Sequence, residues 1–484
     1  MLKKTFFFIL ILSLPVCLNA QQNIYTLQDV VALAQGKSLW SLRVQNQKEQ
    51  VFWAYKSFQA RFKPQLGFDG TLPDFNRSID PITQDDGSEQ FRRRTFTSAE
   101  LGLGISQRIS PTGGTVFMRS EIGRIQQFGD NEYLTYRANP ITVGLYQPIF
   151  TFNQFKWDKK IEPILYEEAM KEYNEDIEGI SLRASGLFFD LLLAQISSEI
   201  AKKNRANNDT IYKIGLGRYE LGKIAENELL QLELNLRNSE QQVSQEGLNV
   251  ETRTLELNQF IGNNENTSVF LIEPTVIPEF DIDEQKAIEQ AKQNRQQYLS
   301  FKRQQLEAER NVAEAKGESG LNVQINGSFG LTNTSEEFNL LYQDLQDREN
   351  LSVTFQIPII DWGRQKSAIK SALANQELIK NTVAQEEINF EQEIYVLVKR
   401  FQILKSQLEA AIIADEIGQK RYDIAQQRYL VAKISITDLN IALQDKDSAK
   451  RTYLNALRDF WNAYYEIRML TLYDFEKNEV INYE

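Results

Sequence analysis

No histidine occurs among the 484 residues, which excludes Ser-His-Asp and Cys-His nucleophile pairs and nearly all zinc and haem ligand sets. What remains for chemistry is carboxylate and cation: 66 Asp and Glu stand against 54 Lys and Arg, a net charge of −12. A carboxylate pair of the glycosidase type needs no histidine and stays open on counting. Nucleic acid is not an expected partner for so acidic a chain. Two acids occupy corresponding places. Asp438 follows Ser435 in the S-x-x-D spacing that starts a helix, and Glu228 lies 210 residues earlier. At their simplest both are carboxylates at helix starts, favoured by the macrodipole. Ahead of them stand Arg218-Tyr219 with Gly222-Lys223, and Arg428-Tyr429 with Ala432-Lys433, segments that read as helix ends.

The elements that must carry these residues come from an internal repeat. Tyr146-Gln147-Pro148-Ile149-Phe150 precedes Gln356-Ile357-Pro358-Ile359-Ile360 with an offset of 210. The same offset superposes Arg218-Tyr219 on Arg428-Tyr429, Lys223-Ile224 on Lys433-Ile434 and Leu229 on Leu439. Ahead of the prolines the offset is 257, as in Ala34 against Ala291 and Pro64 against Leu321. The difference, 47 residues, is an insertion in the first half between Pro64 and Pro148. Each half then reads as helix, strand region, very long helix, turn and long helix.

From about 151 to 220 and from about 362 to 430 the chain is rich in Glu, Lys, Gln, Ala and Leu, with Pro163 the sole proline, so two helices on the order of 100 Å are expected. Apolar residues recur at three and four, as in Leu229, Leu232, Leu236 and in Leu397, Phe401, Leu404, Leu408, a narrow coiled-coil seam. Chain reversal is expected near 221–226 and 431–436. Strict alternation marks strands at 321–331 and 351–357, joined by a polar loop over 332–350, and at 66–72, 101–109, 116–122 and 141–147 in the first half. One apolar and one polar face suits a transmembrane barrel wall with a wet interior, or the edge sheet of a soluble sandwich. In lipid so few strands cannot close alone, and symmetric copies would have to share one barrel.

Residues 1–20 read as a secretory signal: Lys3 and Lys4, an apolar stretch from Phe6 to Leu14, and Asn19-Ala20 before Gln21. Cys17 is the one cysteine, so no intrachain disulfide forms, and the Pro15-Val16 before it departs from the small residue of a lipoprotein signal. The division expected is a signal (1–20), a first repeat (21–270) and a second (271–484). The first comprises helix 26–63, strand region 65–150 and long helical hairpin 151–262. The second comprises helix 283–317, strand region 320–360, long helical hairpin 361–475 and a C-terminal tail. Trp53, Trp157, Trp362 and Trp461 read as packing residues or interfacial anchors.

These features together resemble the TolC-like outer-membrane efflux proteins. The resemblance rests on the signal, the two halves, the strand ends Gln-Pro-Ile-Phe (147–150) and Ile-Pro-Ile-Ile-Asp-Trp-Gly-Arg (357–364), and the apex segments beginning Arg218-Tyr-Glu-Leu-Gly-Lys and Arg428-Tyr-Leu-Val-Ala-Lys. It implies a mainly α fold with membrane β, in which two repeats of long coiled-coil helical hairpins carry β-hairpins that contribute to a shared trimeric transmembrane barrel. It further implies a homotrimer in the outer membrane of a Gram-negative bacterium, its helical part a periplasmic tunnel, that accepts cargo from an inner-membrane transporter through a periplasmic adaptor. No enzyme activity and no cofactor are implied. The hairpin tips that meet the adaptor correspond to Arg218, Tyr219, Gly222, Lys223, Arg428, Tyr429, Ala432 and Lys433. Asp438, with Glu228 as its repeat partner, matches an acidic ring at the periplasmic gate, while Ile441 stands where a second acid is usual. The family's barrel takes four strands per chain, and the 47-residue insertion would raise that to six. Two readings outside the family remain: a secreted coiled-coil tether, which leaves the alternating hairpins without a role, and a carboxylate hydrolase, which leaves the repeat without one.

Overall fold

The computed structural model describes residues 23–129, 132–263, 268–431 and 433–483; the expected signal with Cys17, and the tip residue Ala432, lie outside the described residues. The chain runs β1 (Asn23–Tyr25), α1 (Leu27–Lys37), α2 (Leu39–Ala60), β2 (Gln65–Thr83), β3 (Glu89–Ile109), β4 (Gly114–Phe128), β5 (Tyr133–Ile149), α3 (Gln154–Glu220) and α4 (Glu226–Phe260). It continues β6 (Val269–Leu271), α5 (Glu284–Asn294), α6 (Gln296–Gly317), β7 (Asn322–Ser335), β8 (Gln346–Gln356), α7 (Arg364–Leu430), α8 (Ile436–Thr471) and the short strands β9 (Tyr473–Asp474) and β10 (Glu479–Val480).

The repeat is visible residue for residue. α1, α2 and the start of β2 recur 257 positions later as α5, α6 and the start of β7, and α3 and α4 begin 210 positions before α7 and α8. α3 and α7 have 67 residues each, rods about 100 Å long at ~1.5 Å per residue. The single helices expected over 26–63 and 283–317 are each broken in two. Ser38 and Arg295 adopt extended backbone (ψ 148° and 146°), and the Ser38 hydroxyl accepts from the Ser41 amide at 3.0 Å to begin α2. A cap thus interrupts a stretch that composition alone reads as continuous.

β2, β3, β4, β5, β7 and β8 form one antiparallel sheet in that spatial order. The strands outrun their alternating cores in the sequence. The polar loop expected over 332–350 shrinks to 336–345, because Asn333 and Thr334 continue the ladder opposite Ala138 and Arg137. Backbone pairing does not require an apolar side chain, so polarity misplaced this boundary. Across the sheet one face is apolar, with Phe68 opposite Leu103, Ile105 opposite Met118, Val143 opposite Phe329 and Val353 opposite Ile325. Phe68, Leu103, Met118, Val143, Phe329 and Val353 are all exposed. The other face carries Asp69, Glu100, Arg119, Glu121, Ser328 and Arg348.

The helical and sheet parts are joined at Asn153, the N-cap of α3. Its Oδ1 accepts from the Lys156 amide at 3.2 Å, and its Nδ2 donates to the carbonyls of Ser110 and Pro111 at 2.9 and 3.1 Å, so one side chain starts the long helix and holds the β3–β4 turn.

The main core lies midway along the helices, where Phe188, Phe189 and Leu191 of α3 meet Phe390, Ile394 and Phe401 of α7 and Leu457, Phe460 and Trp461 of α8. Trp461 is therefore a packing residue. Trp362 and Trp53 are exposed, and Trp157 is half-buried with the Lys160 ammonium 4.7 Å above its ring. Within the core Glu178 is fully buried. Arg468 grips its carboxylate with two bonds of 2.9 and 3.2 Å, and the Tyr483 hydroxyl donates to it at 2.5 Å. Tyr483 in turn accepts from Gln35, so α1, α3, α8 and the C-terminal tail meet at one ion pair. Arg468 also pairs with the buried Asp474, so removing the cation strands two carboxylates, and breaking such a buried pair costs about 3–5 kcal/mol. Arg468→Met is expected to lower the denaturant midpoint of the purified protein accordingly, and adding Glu178→Gln to recover part of the loss, the remainder falling on Asp474.

Candidate functional site

Three surfaces can act on something outside the chain: the helix tips, the polar face of the sheet, and the unpartnered edges and stripes.

At the tips the chain reverses as its sequence requires. Gly222 has φ +63°, and the Lys223 amide bonds back to the Arg218 carbonyl at 2.8 Å, closing the six-residue loop of a left-handed helix end. The second tip repeats the bond from the Lys433 amide to the Arg428 carbonyl at 2.9 Å. The two Arg-Tyr pairs, identical in sequence, differ in place. Tyr429 is buried among Ile211, Leu232, Tyr422 and Leu439, whereas Tyr219 is exposed. The Arg218 guanidinium lies 5.5 Å over the Tyr429 ring and donates to the Leu430 carbonyl at 3.4 Å, tying one tip to the other. Burial pushes the Tyr429 phenol above its ordinary pKa, against the opposing pull of Arg218. Lys223, Arg428 and Lys433 point to solvent, and Leu221, Leu430 and Val431 beside them are exposed. The outward surface at the tips is thus basic and apolar together. The apolar members escaped the sequence reading because Leu221 and Leu430 fit the helical seam as well as they fit a surface.

Asp438 is exposed at the first turn of α8. It and Ser435 form a reciprocal cap: the Asp438 amide bonds to the Ser435 hydroxyl at 3.2 Å, and its carboxylate accepts from the Ser435 amide at 3.1 Å and hydroxyl at 2.8 Å. The Ser435 hydroxyl and amide hold this carboxylate below its ordinary pKa of 3.8. Glu228 sits at the same turn of α4, but Ala225 takes the place of Ser435 and gives no side-chain cap. Higher up, side chains cross between the hairpins: Asn204 Nδ2 donates to Asp447 at 2.6 Å and Asn207 Nδ2 to the Tyr422 hydroxyl at 3.1 Å. Nothing in the sequence pairs residues so far apart, and only the packing of α3 against the α7–α8 hairpin brings them together.

On the polar face of the sheet Arg119 bridges Asp69, at 2.6 Å, and Glu121. Arg137 holds Glu100 at 3.1 Å, and Asn139 donates to Glu121 at 3.2 Å. Gly102 makes the room, since a Cβ there would stand 2.7 Å from the Arg119 guanidinium.

The edge strands β2 and β8 each have a neighbour on one side only, and β8 is exposed along its whole length. Along α7 an exposed stripe repeats every seven residues through Val396, Ile403, Ala410, Ile417, Ile424 and Val431, distinct from the buried seam of Leu397, Phe401, Leu404 and Leu408. α4 carries a second such stripe at Leu234, Leu248 and Leu255. Among the described residues no helix is long and apolar enough to cross a membrane.

Residues 287–471 match the outer membrane efflux protein family. The match covers the second repeat from α5 to the end of α8. No curated protein matches the chain. In fold the likeness runs nearly end to end. The Campylobacter jejuni CmeC outer membrane channel is 18% identical, over 94% of this chain and 87% of that one, with a TM-score of 0.68. The Vibrio cholerae outer membrane protein VceC is 11% identical, over 92% and 95%, at 0.63. The Neisseria gonorrhoeae MtrE outer membrane channel, solved in its open state, is 13% identical, over 92% and 88%, at 0.60. The resemblance read from the sequence therefore holds in a family match over one repeat and in the fold of outer-membrane channels over both.

Ser435→Ala removes the cap and is expected to cost about 1 kcal/mol of local stability, read as faster amide exchange over 435–440 with the rest of α8 unchanged. The same protection depends on pH. Because the folded pKa of Asp438 is depressed, its contribution is complete above the ordinary value of 3.8 and disappears as pH falls through the lowered value. Gly222→Val, which forces a β-branched residue to φ +63°, is expected to loosen the first tip by about 1–2 kcal/mol in the same measurement.

Proposed function

We propose that this protein is the outer-membrane channel of a tripartite efflux system: a homotrimer whose sheets close into one barrel, with the helical hairpins forming a tunnel through the periplasm. The observation that carries the reading is the pair of free sheet edges. Strand directions alternate through six strands, so β2 and β8 run antiparallel to each other, and β8 of one copy can continue onto β2 of the next with the same ladder chemistry. Head-to-tail joining of β8 to β2 between identical copies closes into a ring when the rotation per copy divides a full turn. The ring leaves no unpaired backbone in lipid and turns the apolar face outward and the Asp69–Arg119–Glu121 face inward. The unpartnered stripes on α4 and α7 have the seven-residue spacing of coiled-coil seams and suit packing between copies.

In this assembly cargo is handed over at the tips by an inner-membrane transporter through a periplasmic adaptor. The exposed Leu221, Val431, Lys223, Arg428 and Lys433 suit a partner surface with apolar groups and acids. Three copies of Asp438 make an acidic ring at the entrance, and its depressed pKa keeps that ring charged. Opening is a rotation of the α7–α8 hairpin against α3–α4, which breaks the Arg218–Leu430, Asn204–Asp447 and Asn207–Tyr422 links. The domain division into signal, first repeat and second repeat belongs to the same proposal.

Fractionation tests the assembly: the protein is expected in the outer-membrane pellet after a high-salt wash and as a crosslinked trimer, whereas a secreted tether or hydrolase washes off. Planar-bilayer recordings test the gate. Asp438→Asn is expected to reduce cation preference severalfold, while Ser435→Ala, which breaks the cap and keeps the charge, is expected to leave preference intact. Unchanged selectivity in Asp438→Asn would remove Asp438 from the gate.

A further inference from the structure

The inserted hairpin β3–β4 has no counterpart in the second repeat, where β7 passes directly to β8. We propose that both inserted strands are membrane-wall staves, so that the three-copy barrel has eighteen strands and a bore wide enough to release polypeptide-sized cargo, leaving the helix tips as the section that limits cargo width. The inference rests on the channel reading above and goes beyond its four-stranded precedent.

Connectivity carries the argument first. β2 is bonded to β3 and β5 to β4, and β2 and β5 do not touch. Lifting β3 and β4 out of the wall would break the sheet between β2 and β5, and would strand β2 as an isolated strand in lipid, at several kcal/mol per unpaired backbone group. Patterning carries it next. The apolar face continues across the insertion, interrupted at Ser120 and Gln107: Phe68 faces Leu103, Ile105 faces Met118, and Val116 and Met118 face Leu145 and Val143. At 21 and 15 residues β3 and β4 exceed the roughly 9–11 that a tilted strand needs to span. Height carries it last. The turn between them lies at the level where β2 and β5 meet their helices, tied there by Asn153 to Ser110 and Pro111 and by Gln107 to the Phe62 carbonyl at 2.6 Å. The Arg108 guanidinium, 5.0 Å over Phe155, adds to the tie. An external flap would show none of these.

Barrel width follows strand number. At about 4.8 Å between strands and a tilt of about 40°, eighteen strands enclose a backbone ring about 36 Å across, and twelve a ring about 24 Å across. With side chains filling about 5 Å at each wall, the bores are about 26 and 14 Å. An α-helix with its side chains is about 10–12 Å wide, so the smaller bore admits one extended or helical chain and the larger a compact bundle. The helical hairpins carry no comparable insertion, α3 and α7 being equal in length, so the extra width belongs to the barrel alone.

The sole cysteine of the chain is Cys17, so in the protein freed of its expected signal an introduced thiol is the only one. Single variants Leu103→Cys and Met118→Cys on the apolar face of the insertion, and Ser106→Cys on its polar face, are compared with Val143→Cys on β5 in intact outer membranes. The probe is a water-soluble, membrane-impermeant maleimide. Ser106→Cys is expected to label at least about tenfold faster than Leu103→Cys and Met118→Cys, which match the protected Val143→Cys until detergent is added. Labelling of Leu103→Cys and Met118→Cys at the Ser106→Cys rate, with Val143→Cys still protected, overturns the proposal while leaving the channel reading standing. Absence of the unmodified protein from the membrane pellet overturns the channel reading itself. A direct strand count by electron microscopy of the purified particle is expected to give eighteen, and twelve overturns the inference whatever the labelling.

Discussion

A backbone amide without a partner is tolerable in water and costs several kcal/mol in hydrocarbon, and the proposed assembly turns on that difference. The sheet ends in two bare edges and exposes one mainly apolar face. Either feature alone suits a soluble protein; together they are what the proposed channel requires of one sector of its wall. The even strand number lets the sector join its own copy, since β2 and β8 run in opposite directions. The insertion respects this condition because it adds strands in a pair; a single added strand would have left the edges parallel and the ring unable to close with antiparallel ladders.

The same incompleteness recurs in the helices. α7 has one seam buried against its own hairpin and a second, spaced by sevens, left open, and α4 has an open stripe as well. Inside the chain the two repeats differ at the tips. Tyr429 is covered by Arg218, while Tyr219, its repeat equivalent, is free. One duplicated sequence therefore supplies two roles, because the hairpins occupy different positions relative to each other. Near the tips the hairpins meet through a small apolar cluster around Tyr429 and a few polar bonds, whereas the middle of the rods has a larger aromatic core and the buried Glu178–Arg468 pair that fixes the C-terminal tail.

Asp438 shows how one carboxylate can cap a helix and still stand exposed to solvent, as the proposed gate requires. Its bonds to Ser435 fix the first turn of α8 and also hold the group ionised and exposed at the mouth of the hairpin. Glu228 has the position without the cap, since Ala225 replaces the serine. The two hairpins are thus equal in length and unequal in how firmly their second helices begin.

Much was legible without coordinates because it depends on local physics. The two offsets place the helix starts, Gly222 and the S-x-x-D spacing place the reversals, and alternation places the strand cores; each follows from backbone geometry within a few residues. Local polarity misled where pairing partners decide the outcome: at Asn333 and Thr334, which continue a strand, and at Ser38 and Arg295, which break helices that composition reads as continuous. The sequence by itself determined the duplication, the hairpin lengths, the apolar face and the absence of histidine chemistry. Only the tertiary structure decided that β3 and β4 lie between β2 and β5, that Asn153 holds their turn, that Arg119 meets Asp69 and Glu121, and that Arg218 covers Tyr429. Except for Arg119 with Glu121, those contacts join residues tens to hundreds of positions apart, and nothing in a local pattern specifies which distant segment arrives beside it.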